Sequence, residues 1–138
     1  MCAFVAARNK EQPDKKIIFI VNDSVRVASE LPVAGVHIGQ DVTDVEVVRR
    51  RVGSNKIIGR SNQSVEAMHE SIKCGADYVS IGPVFSTPTK PDRMAVGIAT
   101  VREAAHSIFS PWVAIGGLDT HTAKAVYEAG GKNIAVVR

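Results

Sequence analysis

The sequence has few cysteines, few aromatic residues and no long hydrophobic run. Its two cysteines, Cys2 and Cys74, are too few for a disulfide framework and are typical of a reducing compartment. No apolar run approaches the roughly 20 residues that a membrane-spanning helix needs. The apolar residues 3–7 are not preceded by the basic residues of a secretory signal peptide. We therefore expect a cytoplasmic domain with no membrane partner.

An excess of charge of one sign is also nearly absent. Lys and Arg number 17 against 14 Asp and Glu, which gives a formal net charge of +3. The one basic triplet, residues 49–51, is typical of a solvated helix face, and an aromatic fraction of 5% leaves no platform for stacking bases. This pattern argues against a nucleic-acid partner, and a slightly basic chain suits a small anionic ligand equally well.

What the sequence does contain is a regular alternation of short β-rich runs and amphipathic stretches. The predicted strands are rich in Ile and Val and mostly apolar on both faces, which indicates a parallel sheet covered by helices. They span residues 17–21, 34–38, 56–59, 77–81, 112–115 and 134–137. This predicts an α/β fold in a single domain over residues 1–138, either an open doubly wound sheet or part of a (βα)8 TIM barrel.

Each of these two architectures meets a difficulty in the sequence. No G-x-G-x-x-G motif follows the first strand, which weakens the dinucleotide-binding version of the open sheet. A whole barrel usually needs about 200 residues or more. The intervening helices have their own start signals, since Thr43 with Glu46 forms a capping box and Ser64 and Thr120 are predicted caps.

Polar residues and glycines follow the carboxyl end of every predicted strand, where α/β enzymes place their functional groups. These candidates are Asn22, Asp23, Gly39, Gln40, Asp41, Ser61, Asn62, Gln63, Gly82, Pro83, Ser86, Thr87, Pro88, Thr89, Lys90, Gly116, Gly117 and Arg138.

Two of these groups are candidate phosphate sites. Gly116 and Gly117 precede a predicted helix whose free N–H groups could face an anion, although a simple turn explains the pair equally well. Thr87, Thr89 and Lys90 offer hydroxyls and an ammonium group, which also occur in ordinary surface turns.

The histidines show no metal-ligand spacing, so we expect structural or surface roles for them. They are His37, His69, His106 and His121.

A series of short motifs then indicates a protein family. In chain order they are Ile20-Val21-Asn22-Asp23, Gly35-Val36-His37-Ile38-Gly39-Gln40, Ile58-Gly59-Arg60-Ser61, Gly75-Ala76-Asp77-Tyr78-Val79, Gly82-Pro83-Val84-Phe85, Thr87-Pro88-Thr89-Lys90-Pro91 and Ala114-Ile115-Gly116-Gly117. Over residues 16–138 the sequence resembles the thiamine-phosphate synthases, which are TIM-barrel enzymes of thiamine biosynthesis.

The resemblance implies a transferase that joins a pyrimidine methylene diphosphate to a thiazole phosphate with Mg²⁺ and releases pyrophosphate. It implies that Asn22, Ser61 and Lys90 contact the diphosphate, with Lys90 and Ser61 acting in catalysis, and that Asp23 ligates Mg²⁺. By the same resemblance, the thiazole phosphate is held by Thr87, Thr89, Gly117, Val137 and Arg138.

The sequence departs from the family pattern at three places. The second Mg²⁺ aspartate of the family falls on Val42, and the nearby Asp41 is shifted by one residue, which usually re-aims a side chain at a strand end. A histidine that related thiazole tautomerases use as acid–base is replaced by Gln63, which argues against that alternative activity. The first two βα units, with their Gln-x-Arg-x-Lys motif, have no counterpart in this chain.

We therefore expect about six of the eight βα units of such a barrel, with residues 1–16 as the remnant of a preceding helix and loop. The alternative is a non-catalytic barrel fragment. We expect the 138-residue chain to have no turnover by itself, and its two open edge strands favour self-association.

Overall fold

Six strands form a single curled parallel sheet, a half-barrel in which the strand order follows the chain. The computed structural model describes residues 1–41 and 44–137. The strands are β1 (Ile20–Asn22), β2 (Gly35–Ile38), β3 (Ile57–Asn62), β4 (Tyr78–Ile81), β5 (Trp112–Ile115) and β6 (Ile134–Ala135). The helices are α1 (Cys2–Glu11), α2 (Val25–Glu30), α3 (Val45–Val52), α4 (Val65–Lys73), α5 (Gly97–Ser107) and α6 (Ala123–Glu128), with a 3-10 turn at Pro13–Lys15. The α/β class and the parallel sheet are therefore as predicted.

The two edge strands are shorter than the sequence predicts. Residues 17–19 do not join β1, since the amide and carbonyl of Ile17 bind the side chain of Asn9 at 2.7 and 2.8 Å. At the other edge β6 ends at Ala135, and Val136 and Val137 are exposed. The apolar pattern predicted longer edge strands, but of residues 17–19 only the Phe19 carbonyl is hydrogen-bonded to the neighbouring strand region, accepting from the amide of Ala34 at 2.9 Å.

The core lies between the outer face of the sheet and the helices. Apolar side chains at alternate strand positions, such as Ile38, Ile58 and Ile81, are fully buried there. They pack with the apolar stripes of the helices, including Met68 on α4, which is fully buried as core filling. This packing leaves the opposite, concave face of the sheet to polar residues.

The helix starts were predicted with mixed success. Ser64 caps α4 as predicted, because its Oγ accepts from the amide of Ala67 at 3.2 Å. Thr43 lies outside the described residues, and the Asp44 side chain caps α3 through the amide of Glu46. The prediction of Thr120 as a cap is wrong: the Asp119 carboxylate takes the first amides of this turn instead, and α6 begins after Thr122.

One member of the basic triplet has a structural role that the sequence did not predict. The guanidinium of Arg49 donates to the carbonyl oxygens of Lys56 and Gly75 and forms an ion pair with Asp77. The same carboxylate accepts from the amide of Ile58, so Arg49 ties α3 to the starts of β3 and β4. Residues 50 and 51 are exposed, as expected of a solvated helix face. Within the described part of the chain, none of the helices has the length and apolar character needed to span a membrane.

Candidate active site

A cavity of about 670 Å³ opens at the carboxyl ends of the strands, on the side where the sequence placed the functional groups. Seven residues predicted for substrate binding line it, namely Asn22, Ser61, Thr87, Thr89, Lys90, Gly117 and Val137. Arg138, the remaining predicted contact, lies outside the described residues. The structure therefore gathers into one cavity residues that are separated by more than a hundred positions in the chain.

The end of β1 orients a carboxylate beside the cavity residue Asn22. Asp23 adopts a left-handed backbone conformation with φ of 60°, which is uncommon outside glycine but tolerated by Asp. Its two carboxylate oxygens accept from Asn22 Nδ2 at 2.7 Å and from the amide of Gly39 at 3.2 Å. These bonds hold the predicted metal ligand beside Asn22, which itself lines the cavity.

Asp41 is engaged elsewhere. Its Oδ2 lies 2.9 Å from Arg93 Nη2, and 86% of its side chain is exposed. The family position, Val42, lies outside the described residues. Among residues 1–41 and 44–137, no group of three Asp, Glu, His or Cys side chains could hold a metal ion. Of the two aspartates predicted as metal ligands, Asp23 therefore lies beside the cavity residue Asn22, and Asp41 is paired with Arg93.

His37, for which the sequence favoured a structural or surface role, lies inside the cavity. Its Nε2 is 2.9 Å from Ser61 Oγ and its Nδ1 is 2.8 Å from the hydroxyl of Tyr78. Burial lowers the pKa of His37, while the nearby Asp23 carboxylate acts in the opposite direction. The other three histidines are exposed. The sequence contained an indication of this role, because His37 is the one polar side chain in an otherwise apolar strand. The face of the sheet on which His37 lies could not be assigned without the strand register.

On the opposite side of the cavity, two glycines allow two loops to touch. Gly116 and Gly117 have φ of 94° and 65°. A Cβ on Gly117 would lie 2.7 Å from the Cβ of Phe85, and one on Gly116 would collide with Pro83. The amide of Phe85 also donates to the carbonyl of Gly116 at 3.0 Å. The glycine pair is therefore required by close packing of the loop that follows β4 on the turn that follows β5.

The helix-start amides predicted to face an anion are already occupied. Both the His121 and Thr122 amides donate to Asp119 Oδ1 at 2.9 Å. These hydrogen bonds lower the pKa of Asp119. The first amides of this turn are therefore not available to a phosphate. The predicted anion partners that remain on this side are Gly117 and the loop against which it packs.

That loop presents the predicted phosphate partners. Thr87 organises it, since its carbonyl accepts from the amide of Lys90 and its Oγ1 accepts from the amide of Thr89, each at 3.3 Å. The side chains of Thr89 and Lys90 are exposed at the cavity. The positive charge of Lys90 reaches His37 and contributes to the lowering of its pKa. Hydroxyls and a cation therefore line the same cavity as the polar groups of the strands.

Comparison with known proteins identifies the family of this chain. A family model described as thiamine monophosphate synthase matches residues 3–138. The chain is 42% identical to thiamine-phosphate synthases of Prochlorococcus marinus, strain MIT 9313, and Shouchella clausii, over 87% and 90% of its length. It spans 34% of the first of these relatives and 60% of the second.

Solved structures give the same result. The thiamine phosphate pyrophosphorylase of Pyrococcus furiosus superposes on 93% of this chain, which covers 59% of that protein, with a TM-score of 0.80 and 35% identity. FabK of Thermotoga maritima, in its M276A form, superposes with a TM-score of 0.69 at 19% identity over 96% of this chain and 47% of its own, and shares the fold alone. The order of the motifs, the shared fold and the match of the family model over nearly the whole chain together show that this chain belongs to the thiamine monophosphate synthase family.

Proposed function

We propose that this chain carries most of the active site of a thiamine-phosphate synthase, a transferase that joins hydroxymethylpyrimidine diphosphate to thiazole phosphate and releases pyrophosphate. The observation that carries the proposal is that both sets of predicted anion partners line one cavity of about 670 Å³. A cavity of this size accommodates small-molecule substrates. Relatives named thiamine-phosphate synthase support the assignment, and the activity of the whole enzyme is inferred from them.

The two substrates are assigned to the two sides of the cavity. The strand side, with Asn22 and Ser61, receives the pyrimidine diphosphate, and Lys90 reaches it from the loop. The loop side, with Thr87, Thr89, Gly117, Val137 and Arg138, receives the thiazole phosphate. This division places the ammonium group of Lys90 between the two bound anions, where its positive charge stabilises both of them.

The reaction needs stabilisation of a departing anion. The C–O bond between the pyrimidine methylene and the diphosphate breaks, and its electron pair leaves with the diphosphate. The thiazole nitrogen then donates its lone pair to the methylene cation and forms the new C–N bond. Donors fixed before the reaction, here Lys90 and the Ser61 hydroxyl, stabilise the negative charge as it grows on the leaving group.

The residues present fit Mg²⁺ as the cofactor. Mg²⁺ is commonly held by one or two carboxylates together with substrate phosphates, and the chemistry it supplies is neutralisation of a diphosphate leaving group. Asp23, which accepts hydrogen bonds from Asn22 and the amide of Gly39, would be the protein ligand. Asp41 would join only if its ion pair with Arg93 were broken.

The complete enzyme is proposed to be an eight-unit TIM barrel that acts in the cytoplasm. The six-stranded half-barrel, with β1 and β6 at its edges, supports this proposal, and its strands would form part of such a barrel. The remaining units would supply the Gln-x-Arg-x-Lys cations that this chain does not contain.

A chimera tests the proposal without depending on where this chain begins or ends. The segment of the Shouchella clausii enzyme that matches this chain is replaced by residues of this chain, and the chimera is assayed with both substrates and Mg²⁺. We expect turnover, and we expect Lys90→Ala to reduce its rate by about 10²–10³-fold. Lys132→Ala, an exposed lysine outside the cavity, is the matched control and should leave the rate unchanged. A chimera with native circular dichroism but no turnover would contradict the proposal.

A further inference from the structure

A chain of hydrogen bonds runs along the floor of the cavity through three neighbouring strands. The hydroxyl of Tyr78 on β4 lies 2.8 Å from His37 Nδ1 on β2, and His37 Nε2 lies 2.9 Å from Ser61 Oγ on β3. The His37 and Tyr78 rings are inclined at 38° with centroids 5.4 Å apart. Ser61 and His37 line the cavity, whereas Tyr78 is not among its lining residues.

The sheet register brings His37 and Tyr78 together over a glycine. His37 is paired with Gly59, and Gly59 is paired with Tyr78, so the three residues form one row across β2, β3 and β4. A Cβ at Gly59 would collide with the Tyr78 ring. The missing side chain therefore lets the phenol reach across β3 to His37. Ser61, two residues further along β3, lies on the same face one step closer to the cavity mouth.

The hydrogen-bond capacities of the three groups allow two arrangements. A neutral imidazole has one donor and one acceptor nitrogen. If Tyr78 donates to Nδ1, then Nε2–H donates to Ser61 Oγ, and the Ser61 proton is free to point into the cavity. In the opposite arrangement Ser61 donates to Nε2 and has no proton left for a ligand, and the phenol proton needs a further acceptor.

The surroundings favour the first arrangement. The phenol keeps its proton in both arrangements, and among the described residues its hydrogen-bond partner is His37 Nδ1. The first arrangement gives that proton an acceptor, whereas the second leaves it without one in the described protein. The free Ser61 proton then faces the part of the cavity that also contains Asn22 and Lys90.

We propose that Tyr78 is a positioning residue, which holds His37 with its proton on Nε2 and thereby directs the Ser61 hydroxyl proton toward an anionic oxygen bound in the cavity. The identity of that anion as a diphosphate rests on the proposed function. The hydrogen-bond chain itself does not rest on the proposed function, because it is formed by three side chains of this protein.

The first test examines the chain without any ligand. The ¹⁵N resonances of His37 are recorded at pH 8, where an imidazole is neutral, and assigned by comparison with His37→Asn. We expect the pattern of an Nε2–H tautomer whose Nδ1 accepts a hydrogen bond. In Tyr78→Phe, which keeps the ring volume, the Nδ1 signal should move downfield toward that of an acceptor without a donor. A proton on Nδ1 in the wild-type chain, or no change in Tyr78→Phe, would overturn the proposal.

The second test measures the consequence for binding, by calorimetry with inorganic pyrophosphate and Mg²⁺. We expect Tyr78→Phe to weaken binding by about three- to tenfold, the effect of losing one oriented hydrogen bond. Because Tyr78 acts through Ser61, the double variant should bind no more weakly than Ser61→Ala alone. Tyr127→Phe, at an exposed tyrosine on α6, should bind like the wild type.

These outcomes separate the two proposals. Additive effects of Tyr78→Phe and Ser61→Ala would overturn the role of Tyr78, because they would show that it does not act through Ser61. Absence of any pyrophosphate binding by the wild-type chain would count against the proposed function, and the NMR result would then decide the hydrogen-bond chain by itself.

Discussion

The two sides of the cavity use different physical means to place their polar groups. On the strand side, side chains of β1, β2 and β3 bond to one another, as His37 does with Ser61 and Asn22 does with Asp23. On the loop side, the position of Thr87, Thr89 and Lys90 depends on backbone contacts between a loop and the Gly116-Gly117 turn. The strand side should therefore respond mainly to loss of individual polar groups, and the loop side to added volume.

The largest effect is expected from added volume on the loop side. Gly117→Ala forces a left-handed φ of 65° on alanine and drives its Cβ into Phe85 and Ser86, which should cost about 3 kcal/mol of unfolding free energy. Gly75→Ala is the matched control, because Gly75, just after α4, also has a positive φ, of 94°, but nothing lies within 4 Å of its Cβ position. We expect about 1–2 kcal/mol for that variant. Urea unfolding measures both values.

Equal costs for the two variants would break the comparison, because they would show that the contact with Phe85 adds nothing to the backbone strain. The same pair should differ in affinity for the thiazole phosphate, with a loss in Gly117→Ala alone.

The next effect concerns a buried polar group at the end of β3. Asn62 is 2% exposed, and its amide binds the carbonyls of Arg60 and Ser80 and the hydroxyl of Ser71 on α4. Asn62→Ala leaves these groups without their partner and should cost about 2–3 kcal/mol in urea unfolding. Ser71→Ala, which removes one of the bonds, should cost less. A larger cost for Ser71→Ala would mean that the helix contact, rather than the strand contacts, supports this side.

The third prediction separates the two aspartates. Asp23→Ala should weaken Mg²⁺-dependent pyrophosphate binding by about tenfold or more, because a carboxylate that ligates the cation is lost. Asp41→Ala should have a much smaller effect, since Asp41 pairs with Arg93 and is mostly exposed. Calorimetry measures both variants, together with Val42→Asp, which restores the family's acid and should tighten binding. If Asp41→Ala abolishes binding and Val42→Asp changes nothing, Asp41 is the second ligand and our assignment is wrong.

The smallest effect is a pH-dependent one at the start of α6. Amide and hydroxyl hydrogen bonds lower the pKa of Asp119 from its ordinary value of 3.8, so its stabilising contribution is present above that value and disappears as the pH falls through the lowered pKa. Asp119→Ala should therefore melt a few degrees below the wild type at pH 7. The difference should shrink in thermal melts at pH values below 3.8. A constant difference across this range would show that the charged carboxylate is not the stabilising form.

Much of the site could be predicted from the sequence because strand ends are visible as the points where apolar runs stop. Asn22, Ser61, Thr87 and Lys90 were placed at one edge of the sheet on that basis, and the structure brings them to one cavity. The motifs also predicted the family that the comparisons confirm. The cap at Thr120 was predicted wrongly because a neighbouring carboxylate, Asp119, competes for the same amides. The role of each site residue stays a prediction.

By itself, the sequence determined the alternation of strands and helices, the parallel sheet and the edge that carries the polar groups. Those properties depend on local apolar periodicity and on the residues at which it ends. Only the tertiary structure decided that His37 and Tyr78, 41 residues apart, meet over Gly59, and that Asp41 turns to Arg93. The first pairing depends on strand register, since a shift of one residue would send each side chain to the opposite face of the sheet. The second depends on which loops the fold brings together.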